Sequence, residues 1–129
     1  MKRLAIDVAP GDYTVARLPK GTTPPVFEPD ERALVSVTST PTEVSVVCPT
    51  SVAPDTEHAH PGWRLLTVRG PLEFDLTGIM AALAGALAAA GVSLFAVSTF
   101  DTDHVLVKAT DLQRAVAALR EAGHEVGNV

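Results

Sequence analysis

The sequence predicts an α+β fold: a β-α-β-β-α-β unit with two helices on one face of an antiparallel sheet, preceded by a shortened version of the same plan. Three observations predict it. The segment from Val35 to Val47 matches the one from Phe95 to Val107 at a constant offset of 60 residues, so that Val37 meets Val97, Thr42 meets Thr102, Glu43 meets Asp103 and Val47 meets Val107. Each copy is an apolar, β-branched run, a polar turn ending in a carboxylate and a second apolar run, the pattern of a β-hairpin. Around the second copy lie two segments of helical period, each followed by a glycine.

In the second half, Trp63 to Arg69 alternates as a strand and Gly70-Pro71 interrupts it. From Leu76 to Ala90 the large apolar residues Ile79, Met80, Leu83 and Leu87 fall on one helix face, and alanine, the strongest helix former, fills most of the rest. Gly91 stands where a terminating glycine belongs. The spacing predicts hairpin strands over 92–98 and 104–108. Thr110 and Gln113 then fit a capping box ahead of the Leu112, Ala115, Val116, Leu119 stripe, with Gly123 as its stop and a last strand over 124–126. This is the ferredoxin-like order.

In the first half, Tyr13 to Leu18 matches the first strand, and hairpin strands are expected at 33–38 and 43–48. Both helical slots are replaced by proline-rich stretches, between Leu18 and Ala33 and after Cys48. The expected division is therefore a truncated unit over 1–60 and a complete one over 61–129. A half so short of core should extend the sheet of the other half or of a partner chain.

Composition excludes several classes. The chain has 129 residues, 47% hydrophobic and 19% charged, which argues against general disorder. Ten Lys and Arg stand against fifteen Asp and Glu, a formal net charge of -5, and the basic residues are scattered, so no nucleic-acid footprint is present. The uncharged run from Leu76 to Val92 is broken by Gly78, Gly85 and Gly91 and diluted by alanine, which predicts a buried helix and no membrane span. The apolar stretch before Asp7 is too short for a signal sequence, and Cys48 alone forms no internal disulfide. A cytoplasmic setting is expected.

The stretch Gly70-Pro71-Leu72-x-Phe74-x-x-Thr77-Gly78-Ile79, followed by Gly91-Val92-Ser93-x-Phe95-Ala96-Val97-Ser98-Thr99-Phe100-x-Thr102-Asp103, resembles the small bacterial tandem ACT-domain proteins. It is also similar to the related ACT units of a mammalian cytosolic arginine sensor. The resemblance implies a tandem ACT fold and a regulatory, non-catalytic module that binds a small molecule, usually an amino acid, where two units pair side by side. The pocket it implies is lined by residues 74–79 and 98–103.

The residues themselves agree with such a site. Asp75 reads as the N-cap of the first helix, which would make Leu76, Thr77 and Gly78 its first three residues, with backbone N–H groups free for a carboxylate. Gly78 allows close approach of a ligand, or else tight packing of helix on sheet. The turn Ser98-Thr99-Phe100-Asp101-Thr102-Asp103 lacks glycine and offers two carboxylates, three hydroxyls and an aromatic ring. Asp103 is suited to a ligand ammonium and Phe100 to an aliphatic stem. The alternative is that Asp101 and Asp103 only close the turn through their own backbone. The expected ligand-binding residues are thus Phe74, Asp75, Leu76, Gly78, Ile79, Thr99, Phe100, Asp101, Thr102 and Asp103. Leu76 stands where the arginine sensor has an acid, which disfavours a guanidinium ligand and favours a neutral or aliphatic amino acid.

No catalytic residue, metal ligand or cofactor is expected. Asp55, Glu57, His58 and His60 have the donor types of a metal site but lie on a proline-bounded loop. A small enzyme would need an Arg or His on a loop facing Asp103, and none stands out. The rival reading is a structural or protein-interaction module that has lost its ligand. The alanine-rich helix has no charged face, so its outer side is expected to be covered by the first half or by another chain, which predicts a homodimer with room for a further protein partner.

Overall fold

The computed structural model describes residues 3–23, 26–27, 33–70 and 78–128. Contacts divide the chain into two compact units, Met1–Pro10 with Arg64–Val129, and Gly11–Trp63. The first ten residues thus join the second half and do not belong with 11–60 as expected. The reason is a strand that sequence reading passed over, β1 (Ala5–Val8), which pairs antiparallel with β5 (Ala59–Val68) and parallel with β8 (Glu125–Asn128).

The larger unit contains β1, the last part of β5, α1 (Ile79–Ala89), β6 (Leu94–Ser98), β7 (Asp103–Lys108), α2 (Leu112–Glu121) and β8. Its strand order is β6-β7-β5-β1-β8. The ferredoxin-like plan holds, with β1 slotted between β5 and β8, so the sheet is mixed where a purely antiparallel one was expected. Ile6, Val8, Leu66, Leu83, Leu87, Val107 and Leu119 are buried in one core between the sheet and the helices. Arg69 grips the Asp7 carboxylate through Nε at 3.2 Å and Nη2 at 2.6 Å, tying β1 to the end of β5.

Both helices end as their glycines predict. Gly91 donates to the Ala88 carbonyl at 3.0 Å and Val92 to that of Leu87 at 2.9 Å; Gly123 and His124 repeat the arrangement on Arg120 and Leu119 at 3.0 and 3.1 Å. These are Schellman motifs, with the glycines at φ +74° and +100°. The helix starts differ from expectation. Gly78, at φ +82°, is itself the N-cap of α1, so it is not the third helical residue, and the expected cap, Asp75, lies outside the described residues. A left-handed backbone cannot lie inside a right-handed helix. Asp111 is the N-cap of α2, where Thr110 was expected, because a 3-10 turn over Ala109–Asp111 comes first and the Asp111 carboxylate pairs with Arg114 at 2.7 Å.

The smaller unit contains β2 (Tyr13–Pro19), β3 (Ser36–Ser39), β4 (Glu43–Pro49) and the first part of β5, in the order β3-β4-β2-β5. The slot between β4 and β5 holds a single 3-10 turn, Thr50–Val52. Leu18, Val44, Val46 and Cys48 form its small core, and burial pushes the Cys48 thiol above its ordinary pKa. Strand β5 begins four residues earlier than the expected Trp63, because Pro61-Gly62 forms a bulge in it. Tyr13 faces Trp63 and Val15 faces His60, so Pro61 and Gly62 of β5 together oppose Thr14 of β2, and Gly62 takes φ +84°.

Two histidines make stability pH-dependent. His124 is buried, its Nδ1 accepting the Leu4 N–H at 3.1 Å while Nε2 is shielded without a partner among the described residues. Burial holds its pKa below the ordinary value; burial also lowers that of half-buried His104, against the pull of Asp103. Above about pH 6.5 both rings are neutral folded or unfolded. Below it the unfolded chain takes up protons that the folded chain refuses, so stability is lost as pH falls. Denaturant titrations should show unfolding free energy dropping below about pH 6.5, with a shallower drop in His124→Asn; identical slopes would contradict this.

Candidate functional site

The turn between β6 and β7 is built from its threonines. The Thr99 N–H donates to the Thr102 carbonyl at 2.9 Å and the Thr99 hydroxyl to the same oxygen at 3.1 Å. The Thr102 hydroxyl donates to the Val68 carbonyl at 2.5 Å, pinning the turn to the end of β5. Ser98 and Asp103 face each other across the last pair of the hairpin, and the Ser98 hydroxyl donates to Asp103 Oδ1 at 2.7 Å. Sequence reasoning counts Ser98 among the hydroxyls of the turn but does not pair it with Asp103; the signal was available, since residues flanking a four-residue turn are directly opposed.

The hydroxyls of Ser98, Thr99 and Thr102 are therefore engaged within the fold. Asp103 is half-buried, oriented by Ser98, and its Oδ2 has no hydrogen-bond partner among the described residues. Asp101 is exposed, and Phe100, 78% exposed, stands at the tip of the turn. His104 turns to β5, its Nδ1 2.8 Å from the Thr67 hydroxyl. Among the described residues no three of His, Cys, Asp and Glu group as metal ligands, and no helix is long and apolar enough to cross a membrane.

The hairpin repeat is real but one residue out of the register read from sequence. In β3–β4, Ser39 opposes Val44 and the Thr40 N–H donates to the Glu43 carbonyl at 2.9 Å. Thr40 therefore does what Thr99 does, at an offset of 59. Burial agrees, because Val46, Val47 and Cys48 are buried as Val105, Leu106 and Val107 are. A slip of one residue reverses the faces of a strand. The counterpart of Asp103 is thus buried Val44 and not Glu43, and the smaller unit has no carboxylate at that place.

At the start of α1, Gly78 is exposed and no side chain caps the helix among the described residues. The first intrahelical bond runs from Ala82 to the Gly78 carbonyl at 2.9 Å, which leaves the amides of Ile79, Met80 and Ala81 without helical partners. The Ile79 side chain is buried in the core, so the site has only its backbone to use. A Cβ built at Gly78 meets nothing within 4 Å among the described residues, so tight packing is not what the glycine serves there. Its backbone angle is. Gly78→Ala should cost about 1–2 kcal/mol in thermal or denaturant unfolding, and an unchanged stability would contradict this. Phe74, Asp75 and Leu76 lie outside the described residues.

Comparison with known proteins decides the family. A model described as an ACT domain matches residues 58–121. A crystal structure of a protein from Agrobacterium tumefaciens is 35% identical, with a TM-score of 0.89, over 100% of this chain and 96% of that one. The chain belongs to the ACT-domain family. Among curated proteins it is similar to cytosolic arginine sensor for mTORC1 subunit 1, 39% identical over 67 residues in Bos taurus and 42% over 59 in Homo sapiens. Those stretches cover 51% and 45% of this chain, and 20% and 18% of the sensors, so the ACT chain spans about a fifth of their length. The regulatory subunit of aspartate kinase from Thermus thermophilus shares the fold at 10% identity, with a TM-score of 0.64 over 92% of this chain and 96% of that one.

Proposed function

We propose that this ACT protein is a non-catalytic sensor that binds a small amino acid where α1 begins and the β6–β7 turn closes. The observation that carries the reading is Asp103, half-buried and oriented by Ser98, with one carboxylate oxygen uncommitted among the described residues. An α-ammonium would meet that oxygen, and an α-carboxylate would meet the amides at the start of α1 that have no helical partner. Phe100 would cover the side chain, and Phe74, Asp75 and Leu76 would complete the wall. Leu76 in place of an acid favours a neutral or aliphatic ligand over arginine. The arginine-sensor relatives support amino-acid sensing as the class of function.

The exposed outer face of α1, Ala81, Gly85, Ala88 and Ala89, supports pairing of two chains in a cytoplasmic homodimer. A specific observation favours a second reading, a structural or protein-interaction module: three hydroxyls of the turn are already spent inside the fold, two in the hairpin and one on the end of β5. A thermal-shift screen against the twenty amino acids separates the two. A ligand at 100 times its Kd should add about 2.7 kcal/mol to stability. A selective rise is expected, and a flat response across all twenty would favour the interaction module.

A further inference from the structure

Four of the five arginines of the larger unit divide into two pairs. Arg69 and Arg114 each hold a carboxylate, at 2.6 and 2.7 Å. Arg64 and Arg120 hold none among the described residues, and both line one cleft of about 610 Å³. The cleft runs along α2, past Leu112, Gln113 and Val116, and reaches Val8 of β1 and Asn128 of β8. Among the described residues no Asp or Glu lines it, in a chain whose formal net charge is -5.

Each guanidinium is fixed by one backbone carbonyl and otherwise unspent among the described residues. Arg64 Nη2 donates to the Ala9 carbonyl at 3.2 Å, and Arg120 Nη2 donates to that of Val126 at 2.7 Å. Arg64 Nε is shielded from solvent without a hydrogen-bond partner among the described residues. A guanidinium carries five N–H donors, so most of those on the two side chains have no acceptor among the described residues. Placing two such forks in one cleft without a counter-charge is unfavourable unless an anion completes it, and planar forks match carboxylate and phosphate oxygens. Val8, Leu112 and Val116 supply an apolar wall, and the volume is that of a small-molecule site.

We infer that this cleft binds a small organic anion, its carboxylate or phosphate head between Arg64 and Arg120 and a short aliphatic body along α2. The inference does not rest on the amino-acid site, which uses other residues of the same unit. It gives the chain a second ligand input, chemically distinct from a zwitterion.

The test is a ¹H–¹⁵N NMR titration of the full chain with n-butyrate, n-butyl phosphate and, as control, n-butylammonium. Saturable shifts are expected from at least one anion at the amides of Gln113, Val116 and Asn128 and at the Arg64 and Arg120 Nε–H groups. The tighter anion identifies the head group. The amides of 99–103 should stay still, and butylammonium should move nothing. Arg64→Gln and Arg120→Gln should each weaken binding about tenfold or more, while Arg69→Gln leaves it unchanged. Absence of saturable shifts from both anions up to tens of millimolar, in the unaltered chain, would overturn the inference, as would equal binding by the two glutamine variants.

Discussion

Replacing Leu87 with alanine should destabilise the chain by about 2–5 kcal/mol. Leu87 is fully buried in the core of the larger unit, and its carbonyl accepts the Val92 N–H of the Schellman motif that ends α1. Truncation removes the side chain from the core and leaves a cavity, and α1, held to the sheet by Ile79, Leu83 and Leu87, has no polar face to compensate. The backbone cap would survive, since alanine suits a helix, so the loss measures packing alone. Denaturant unfolding of Leu87→Ala beside Ala88→Ser, an exposed neighbour expected within about 0.5 kcal/mol of the parent, checks this. A loss below about 1 kcal/mol would show that α1 does not anchor the unit.

The second large effect concerns Asp103. Asp103→Asn keeps an oxygen to accept the Ser98 hydroxyl and so preserves the hairpin. It removes the negative charge that the proposed ammonium contact needs. A hydrogen bond to a charged group is worth about 1.5–3 kcal/mol, which corresponds to roughly a 10- to 150-fold loss of affinity. Calorimetric titration with whichever amino acid stabilises the parent chain reads this directly. Equal affinity in parent and Asp103→Asn would move the ligand elsewhere. The equivalent change in the smaller unit has no target, because Val44 occupies the register position of Asp103.

How much of this was legible in the sequence follows from the range of the interactions involved. The helix ends were legible because Gly91 and Gly123 act locally, through backbone bonds spanning five residues. The hairpins were legible for the same reason. Strand β1 was not, since four residues show little periodicity and Ala5–Val8 becomes a strand only by pairing with β5 and β8, far away in the chain. The bulge at Pro61-Gly62 read as a stop because its turn chemistry is that of a loop. The repeat was misaligned by one residue because matching Glu43 to Asp103 maximised chemical similarity, whereas the fold aligns the turn threonines.

The candidate site shows the same division. Asp103 was legible as a carboxylate in an unusual turn. That Ser98 and Thr99 would be absorbed in closing the turn, and Thr102 in tying it to β5, depends on geometry that residue types do not carry. Gly78 was recognised as special, but its service is to a left-handed angle at the helix start. Arg64 and Arg120 are 56 positions apart and share no motif, so only the folded chain brings them to one cleft.

Native mass spectrometry of the intact protein, in an equimolar mixture of the twenty amino acids, tests the central claim most directly. The account predicts a dimer carrying one additional mass per chain, a mass that identifies the ligand except between the isomers leucine and isoleucine, and that disappears in Asp103→Asn. A bare chain throughout, or an adduct that Asp103→Asn retains in full, would contradict it.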